Sequence, residues 1–127
     1  NLMTILPDTV LDALAEPASV TMVATVDGQG KPNTVVISTI AVIDLETLAF
    51  ADACLGKTKA NLRETGKLTV TVATTQGTAH QIQCTFIHFD TKTPLFDTWH
   101  DAVWNRMSIQ IKGVAIAKVE SVSAADL

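Results

Sequence analysis

The residues best able to do chemistry in this chain are a lysine and a threonine that follow a glycine. The segment from Phe50 to Asp52 is strand-like, and a loop of small residues comes after it. Beyond Gly56, Lys57 and Thr58 begin a predicted helix. Free backbone N–H groups and the helix dipole favour an anion at such a helix start. A lysine charge and a threonine hydroxyl strengthen that preference, so the junction predicts a phosphate site.

The histidines and cysteines are the residues that could support other chemistry. His80 and His88 share one face of a predicted strand, but at about 3.3 Å per residue they lie too far apart for one ion. Cys54 and Cys84 do not have the spacing of metal ligands, and no Gly-x-Ser-x-Gly segment is present for a hydrolase. We therefore expect no metal site, and we expect reduced thiols in a cytoplasmic protein.

The composition limits the class of protein and its partners. The chain has 127 residues, of which 47% are hydrophobic and 17% charged, which suits one domain spanning residues 1–127. The net charge of −4 argues against a nucleic-acid partner, although a local site can still be basic. No apolar run is long enough to cross a bilayer, so no membrane partner is expected.

Hydrophobic periodicity and turn residues predict three helices and six strands. A short helix lies between Pro7 and Pro17, a second spans Lys57 to Thr65, and a third follows Thr93 and extends to about Arg106. The predicted strands are Val20–Val26, Asn33–Ile43, Thr47–Asp52, Lys67–Thr74, His80–Asp90 and Ser108–Val122. The strand Asn33–Ile43 is apolar on both faces, which predicts a central position in the sheet.

The order of these elements predicts the fold class. Short turns between successive strands are typical of an antiparallel sheet. Six strands in so short a chain should curl into a small barrel, because closure removes exposed edges. The sequence therefore predicts a mainly β protein, a six-stranded antiparallel barrel with short flanking helices.

Four segments, in this order along the chain, resemble the FMN-binding split-barrel family, which includes pyridoxamine-phosphate oxidases. They are Gly30-Lys31-Pro32-Asn33, Asp44 in the next turn, Gly56-Lys57-Thr58 with Asn61-Leu62, and Ile111-Lys112-Gly113-Val114 continuing to Val122. The likeness covers nearly the whole chain. The substrate-binding extension of pyridoxamine-phosphate oxidases has no counterpart here, so that activity is not expected.

The resemblance implies a homodimer with two FMN molecules at its interface. Lys57 and Thr58 would hold the phosphate, and Ala51 and Asp52 would flank the ribityl chain or the flavin. The segment that consists of Val35, Val36, Ile37 and Ser38 would run past the isoalloxazine ring. Its backbone N–H and C=O groups would face the polar edge of the ring. Gln81 would reach the flavin of the partner subunit. The helix carrying Trp99 and Trp104 would lie near the interface.

Other roles remain open for these residues. Lys57 and Thr58 also suit an ordinary solvated helix start. Ser38 suits a strand residue that is hydrogen-bonded to a neighbour, and Gln81 suits a solvent-facing position. The resemblance implies a flavin-dependent oxidoreductase that exchanges electrons with an unidentified small molecule. The alternatives are a non-enzymatic electron carrier or flavin sensor, and a barrel that binds haem or a deazaflavin. No residue stands out as a catalytic acid or base.

Overall fold

The computed structural model describes residues 5–53 and 56–126. The three helices are α1 (Asp8–Ala15), α2 (Lys57–Thr65) and α3 (Pro94–Met107). The strands are β1 (Val20–Val26), β2 (Pro32–Ile37), β3 (Ala41–Asp44), β4 (Thr47–Ala51), β5 (Lys67–Ala73), β6 (Thr78–Asp90) and β7 (Val114–Asp126). Cys54 and Leu55, part of the predicted phosphate loop, lie outside the described residues.

The described strands form one antiparallel sheet in the order β2-β1-β5-β6-β7-β4-β3. The two strands at the ends of this order, β2 and β3, are neighbours along the chain and are joined by residues 38–40 alone. Because three residues cannot span an open seven-stranded sheet, the sheet must curl until its two edges come close together. The mainly β antiparallel barrel is therefore confirmed.

The prediction of six strands is wrong, since the described residues form seven. The segment predicted as one strand, Asn33–Ile43, is two strands separated by a bend at residues 38–40. The expected central position is also wrong, because β2 and β3 are the two edges of the sheet. The apolar side chains on both faces do not reflect burial on both sides, because Val36 is 70% and Ile43 46% exposed. They also do not require a strand neighbour on both edges.

Local signals account for the turns and helix ends. Between β1 and β2 the Asp27 carboxylate accepts hydrogen bonds from the N–H groups of Gln29 and Lys31, both at 2.9 Å. Gly66 ends α2 in the left-handed conformation with φ of 68°, as predicted. Thr93 caps α3 by accepting a hydrogen bond from the Leu95 N–H at 3.4 Å, and Pro94 opens the helix.

The core fills the inside of the curled sheet. Its largest fully buried side chains include Phe50 and Leu48 of β4, Ile82 of β6 and Leu62 of α2. Burial of each such side chain contributes roughly 1.5–3 kcal/mol relative to exposure. Helix α2 packs mainly on β1, β2 and β5. This packing fixes the start of α2 beside β2, where the predicted phosphate site lies.

Candidate functional site

A pocket of about 160 Å³ opens where the outer edge of β2 faces the end of β4. One wall consists of the segment Val35 to Thr39, and the other contains Ala51 and Ala53. The Thr39 hydroxyl accepts a hydrogen bond from the Ala51 N–H at 3.0 Å, which holds the bend after β2 against β4. The pocket, called the ring pocket below, therefore lies in the gap between the two sides of the barrel.

Helix α3 closes the third side of the ring pocket. Val103, Arg106 and Met107 line it from the last turns of the helix. Val103 is buried against Ala51 and Ile111 in a small apolar cluster separate from the main core. This cluster fixes the end of α3 over the pocket.

The backbone of β2 gives the ring pocket its polar groups. Among the described strands β2 pairs with β1 alone, so its other edge has unpaired N–H and C=O groups. Unpaired backbone groups retain their hydrogen-bonding capacity, and a flat ligand with a polar rim can take it up. The four predicted ring contacts, Val35, Val36, Ile37 and Ser38, all lie along this pocket.

A second pocket, called the basic pocket below, lies at the other end of β2. Asn33 of β2 lines it, together with Lys31 and Lys57. Asn33 and Ile37 are four residues apart, or roughly 13 Å in a strand. An extended ligand along β2 could thus reach both pockets at once.

Two lysines and one carboxylate set the charge of the basic pocket. The Lys31 N–H that hydrogen-bonds Asp27 holds the pKa of that carboxyl below its usual value, and the charges of Lys31 and Lys57 lower it further. Asp27 is therefore ionised at neutral pH. Lys31 and Lys57 are exposed, and neither forms an ion pair with a described residue. The balance of one positive charge favours an anion.

Thr58 does not face the basic pocket. Its side chain is 0% exposed, and its hydroxyl accepts a hydrogen bond from the Asn33 amide at 3.1 Å. The bond joins the first turn of α2 to the start of β2. The structure thus places Thr58 beneath the predicted phosphate site, while Lys57 lies at its surface.

Asp52 faces away from the ring pocket as well. It is 3% exposed, and its carboxylate pairs with Lys59 of α2 at 2.6 Å. Lys59 also lies over the Phe89 ring, 5.2 Å from its centroid. Asp52 and Lys59 therefore tie α2 to the end of β4, whereas the neighbours Ala51 and Ala53 line the pocket.

Gln81 lies elsewhere, on the outer face of β6. It is exposed and stands between Thr71 of β5 and Ser123 of β7. It lines neither the ring pocket nor the basic pocket. The structure thus brings together the β2 segment, Ala51 and, at the far end, Lys57, and it leaves Gln81 apart within one chain.

Sequence reasoning missed Val103, Arg106 and Met107. Arg106 and Met107 come three and four residues after Val103, so both lie on the side of α3 that carries Val103. This spacing was visible, but the segment gave no sign of which strand the helix would cover. Arg106 donates a hydrogen bond to the Ser38 hydroxyl at 2.9 Å. Ser38 thus has a hydrogen bond to a neighbouring side chain, and that side chain belongs to helix α3.

Neither a cluster of metal ligands nor a membrane-spanning helix occurs in the part of the chain that the structure describes. Within residues 5–53 and 56–126 no three histidines, cysteines or carboxylates come together as metal ligands. None of the described helices has the length and apolar character to cross a bilayer.

Comparison with known proteins finds similarity in solved structures. The sequence matches no family model and no curated protein. An FMN-binding protein from Syntrophomonas wolfei is 25% identical, with a TM-score of 0.74 over 84% of this chain and 77% of that chain. HupZ from Group A Streptococcus is 22% identical, with a TM-score of 0.76 over 97% and 99%. A putative pyridoxamine 5'-phosphate oxidase from Lactobacillus delbrueckii is 17% identical, with a TM-score of 0.74 over 95% of each chain.

Proposed function

We propose that this chain, which has the split-barrel fold of the FMN-binding family, binds FMN and acts as a flavin-dependent oxidoreductase. The solved structures confirm the family resemblance that the sequence predicted. The observation that carries the proposal is the single strand β2, whose free edge borders the ring pocket at one end and the basic pocket at the other.

The ring pocket suits the isoalloxazine ring. A flavin ring is flat, apolar on its faces and polar along one edge. Ala51, Val103 and Met107 offer apolar surface to its faces. The free backbone groups of β2 offer donors and acceptors to its polar edge without any side chain having to reorganise.

The basic pocket suits the phosphate. Lys57 and Lys31 are exposed cations without an ion-pair partner among the described residues, and the first turn of α2 adds its dipole. Thr58 would support this site indirectly, because its bond to Asn33 fixes the helix start against β2. Asp52 would likewise support it from beneath, through Lys59.

Bound FMN would supply the redox chemistry, and the chain would bind, orient and shield it. Val103 and Met107 would exclude water from one side of the ring, and Arg106 would place a positive charge near it. The described lining holds no carboxylate, imidazole or thiol. This lining offers no general acid or base, which favours direct electron or hydride transfer.

The same absence supports the second candidate, a non-enzymatic flavin carrier or sensor. Both candidates predict a yellow protein with FMN bound in a 1:1 ratio to the chain, measured by absorbance before and after FMN is added. Bleaching of the bound flavin by NADPH or NADH, followed by turnover with an electron acceptor, supports the enzyme. A flavin that neither nucleotide reduces supports the carrier. A haem or deazaflavin spectrum, or failure to bind FMN, overturns the proposal.

We further propose a homodimer that uses the outer face of β2, β1, β5, β6 and β7. Cross-strand pairing places uncharged side chains in two adjacent rows on this face. The rows are Val36-Met22-Thr71-Gln81-Ser123 and Thr34-Ala24-Thr69-Gln83-Ser121. Val36 is 70% exposed, and no charge interrupts either row. Depletion of charge is typical of the centre of a subunit interface.

This dimer would bring Gln81 of one subunit towards the cofactor of the other. Thr71→Arg places a charge in the middle of the face and should produce a monomer in analytical ultracentrifugation. FMN affinity should fall with it, because each site would lose its partner. Thr9→Arg, on the exposed surface of α1 and outside this face, should leave the dimer intact. A wild-type monomer would refute the dimer.

A further inference from the structure

A larger cavity of about 470 Å³ lies beside the ring pocket. It is bounded by the end of α1, the start of β1 and the segment from Val36 to Ser38. Arg106 lines both cavities, as do Val36, Ile37 and Ser38. The Arg106–Ser38 pair therefore stands at the boundary between the two spaces, and a ligand in the larger cavity would lie next to whatever occupies the ring pocket.

Arg106 has far more hydrogen-bonding capacity than its present partner uses. Its guanidinium carries five N–H donors, and it donates one of them to the neutral Ser38 hydroxyl at 2.9 Å. It forms no ion pair with any residue in the described ranges. A planar guanidinium with free donors is suited to bind a carboxylate in a bidentate manner.

The remaining polar groups of the larger cavity fix the charge that it can accept. Glu16 is the carboxylate among its described lining residues, and it already accepts a hydrogen bond from the Thr75 hydroxyl at 2.7 Å. Ser19 uses its hydroxyl to bond the Glu16 carbonyl at 2.8 Å. Arg106 is the cation of the same lining. An anionic group would therefore bind at the Arg106 side, away from Glu16.

Leu14, Ile40 and Ile37 give the cavity apolar wall between these polar ends. A ligand with an apolar body and one carboxylate matches this arrangement. We propose that the larger cavity is a binding subsite for a small organic carboxylate, with Arg106 as the residue that selects it. Binding of this small carboxylate to the larger cavity does not depend on the proposed flavin site. A role for the bound molecule as the redox partner of the flavin rests on that proposed function.

Isothermal titration of the flavin-free protein with benzoate, and with neutral benzamide of the same shape, tests the subsite. Benzoate should bind at least about tenfold more tightly than benzamide, because the neutral amide cannot form the charge-assisted hydrogen bonds that the carboxylate forms with Arg106. Arg106→Gln should abolish this preference. Arg63→Gln, an exposed arginine on α2 outside both cavities, should retain it.

Two filling substitutions distinguish the two cavities. Ser19 lines the larger cavity and Ala53 the ring pocket, and neither lines the other. Ser19→Phe should abolish benzoate binding and retain FMN, whereas Ala53→Phe should do the reverse. Equal binding of benzoate and benzamide, or full benzoate binding by Arg106→Gln or Ser19→Phe, overturns the subsite. A wild-type protein that does not bind FMN would instead overturn the proposed function, and the benzoate result would be unaffected.

Discussion

Replacement of Lys57 by alanine tests the phosphate end of the proposed site. Lys57 is exposed beside the basic pocket and pairs with no carboxylate among the described residues, so its loss should leave folding intact. A lost hydrogen bond to a charged group costs roughly 1.5–3 kcal/mol. Because about 1.4 kcal/mol corresponds to a tenfold change in the dissociation constant, FMN should bind Lys57→Ala about 10- to 150-fold more weakly than the wild type.

The measurement compares FMN with riboflavin, which has the same ring and no phosphate. Quenching of flavin fluorescence gives both dissociation constants for the wild type and for Lys57→Ala. The expected loss is confined to FMN, because riboflavin makes no phosphate contact, and it should shrink at high salt. Equal weakening of both ligands, or no change for FMN, would refute the assignment of Lys57 to the phosphate.

The buried carboxylate, the core and the buried thiol give three more predictions. Lys59→Met should lower the melting temperature more than Asp52→Asn does, because it leaves the buried Asp52 charge, which is 3% exposed, without its partner. Calorimetry at pH 7 measures both melting temperatures, and equal decreases would contradict this prediction. Phe50→Ala should reduce the free energy of unfolding, measured in urea, by about 3–5 kcal/mol. Phe96→Ala, at the half-buried start of α3, should reduce it by less. Similar losses for the two variants would place Phe50 outside the main core. Burial raises the pKa of the Cys84 thiol to about 12 from 9.0. The contribution of Cys84 to the free energy of unfolding is therefore fully present below pH 9 and is lost as the pH rises towards 12. In a Cys54→Ser background Cys84 should resist a thiol reagent at pH 8 until urea unfolds the chain, and rapid native reaction would be the contrary result.

Local signals in the sequence located the helices and most strand boundaries. Pro94 after Thr93 marked the start of α3, and Gly66 marked the end of α2. These signals work because capping and turn conformations depend on a few adjacent residues. The family resemblance added the fold, and it selected the β2 segment and Lys57 as neighbours of one ligand.

The pattern from Asn33 to Ile43 shows where such signals end. Its apolar residues on both faces predicted one central strand, but the chain bends at residues 38–40 and forms both edges of the sheet. Alternation reports which faces are apolar, and it carries no information about which strands are hydrogen-bonded neighbours. The side chains of Thr58 and Asp52 face away from the pockets, which was not predictable for a similar reason, because the helix start and the family resemblance put these residues near the site without fixing the direction of their side chains.

The sequence by itself determined the three helices, most of the strands and the mainly β class, because each depends on short-range periodicity and capping. Its assignment of Lys57 to a phosphate stays a prediction. Tertiary structure alone decided that the two sheet edges meet, that α3 closes the gap between them and that Arg106 reaches Ser38. These are contacts between residues up to 68 positions apart. Their formation depends on how the whole sheet curls around its core, and no single segment encodes that curvature.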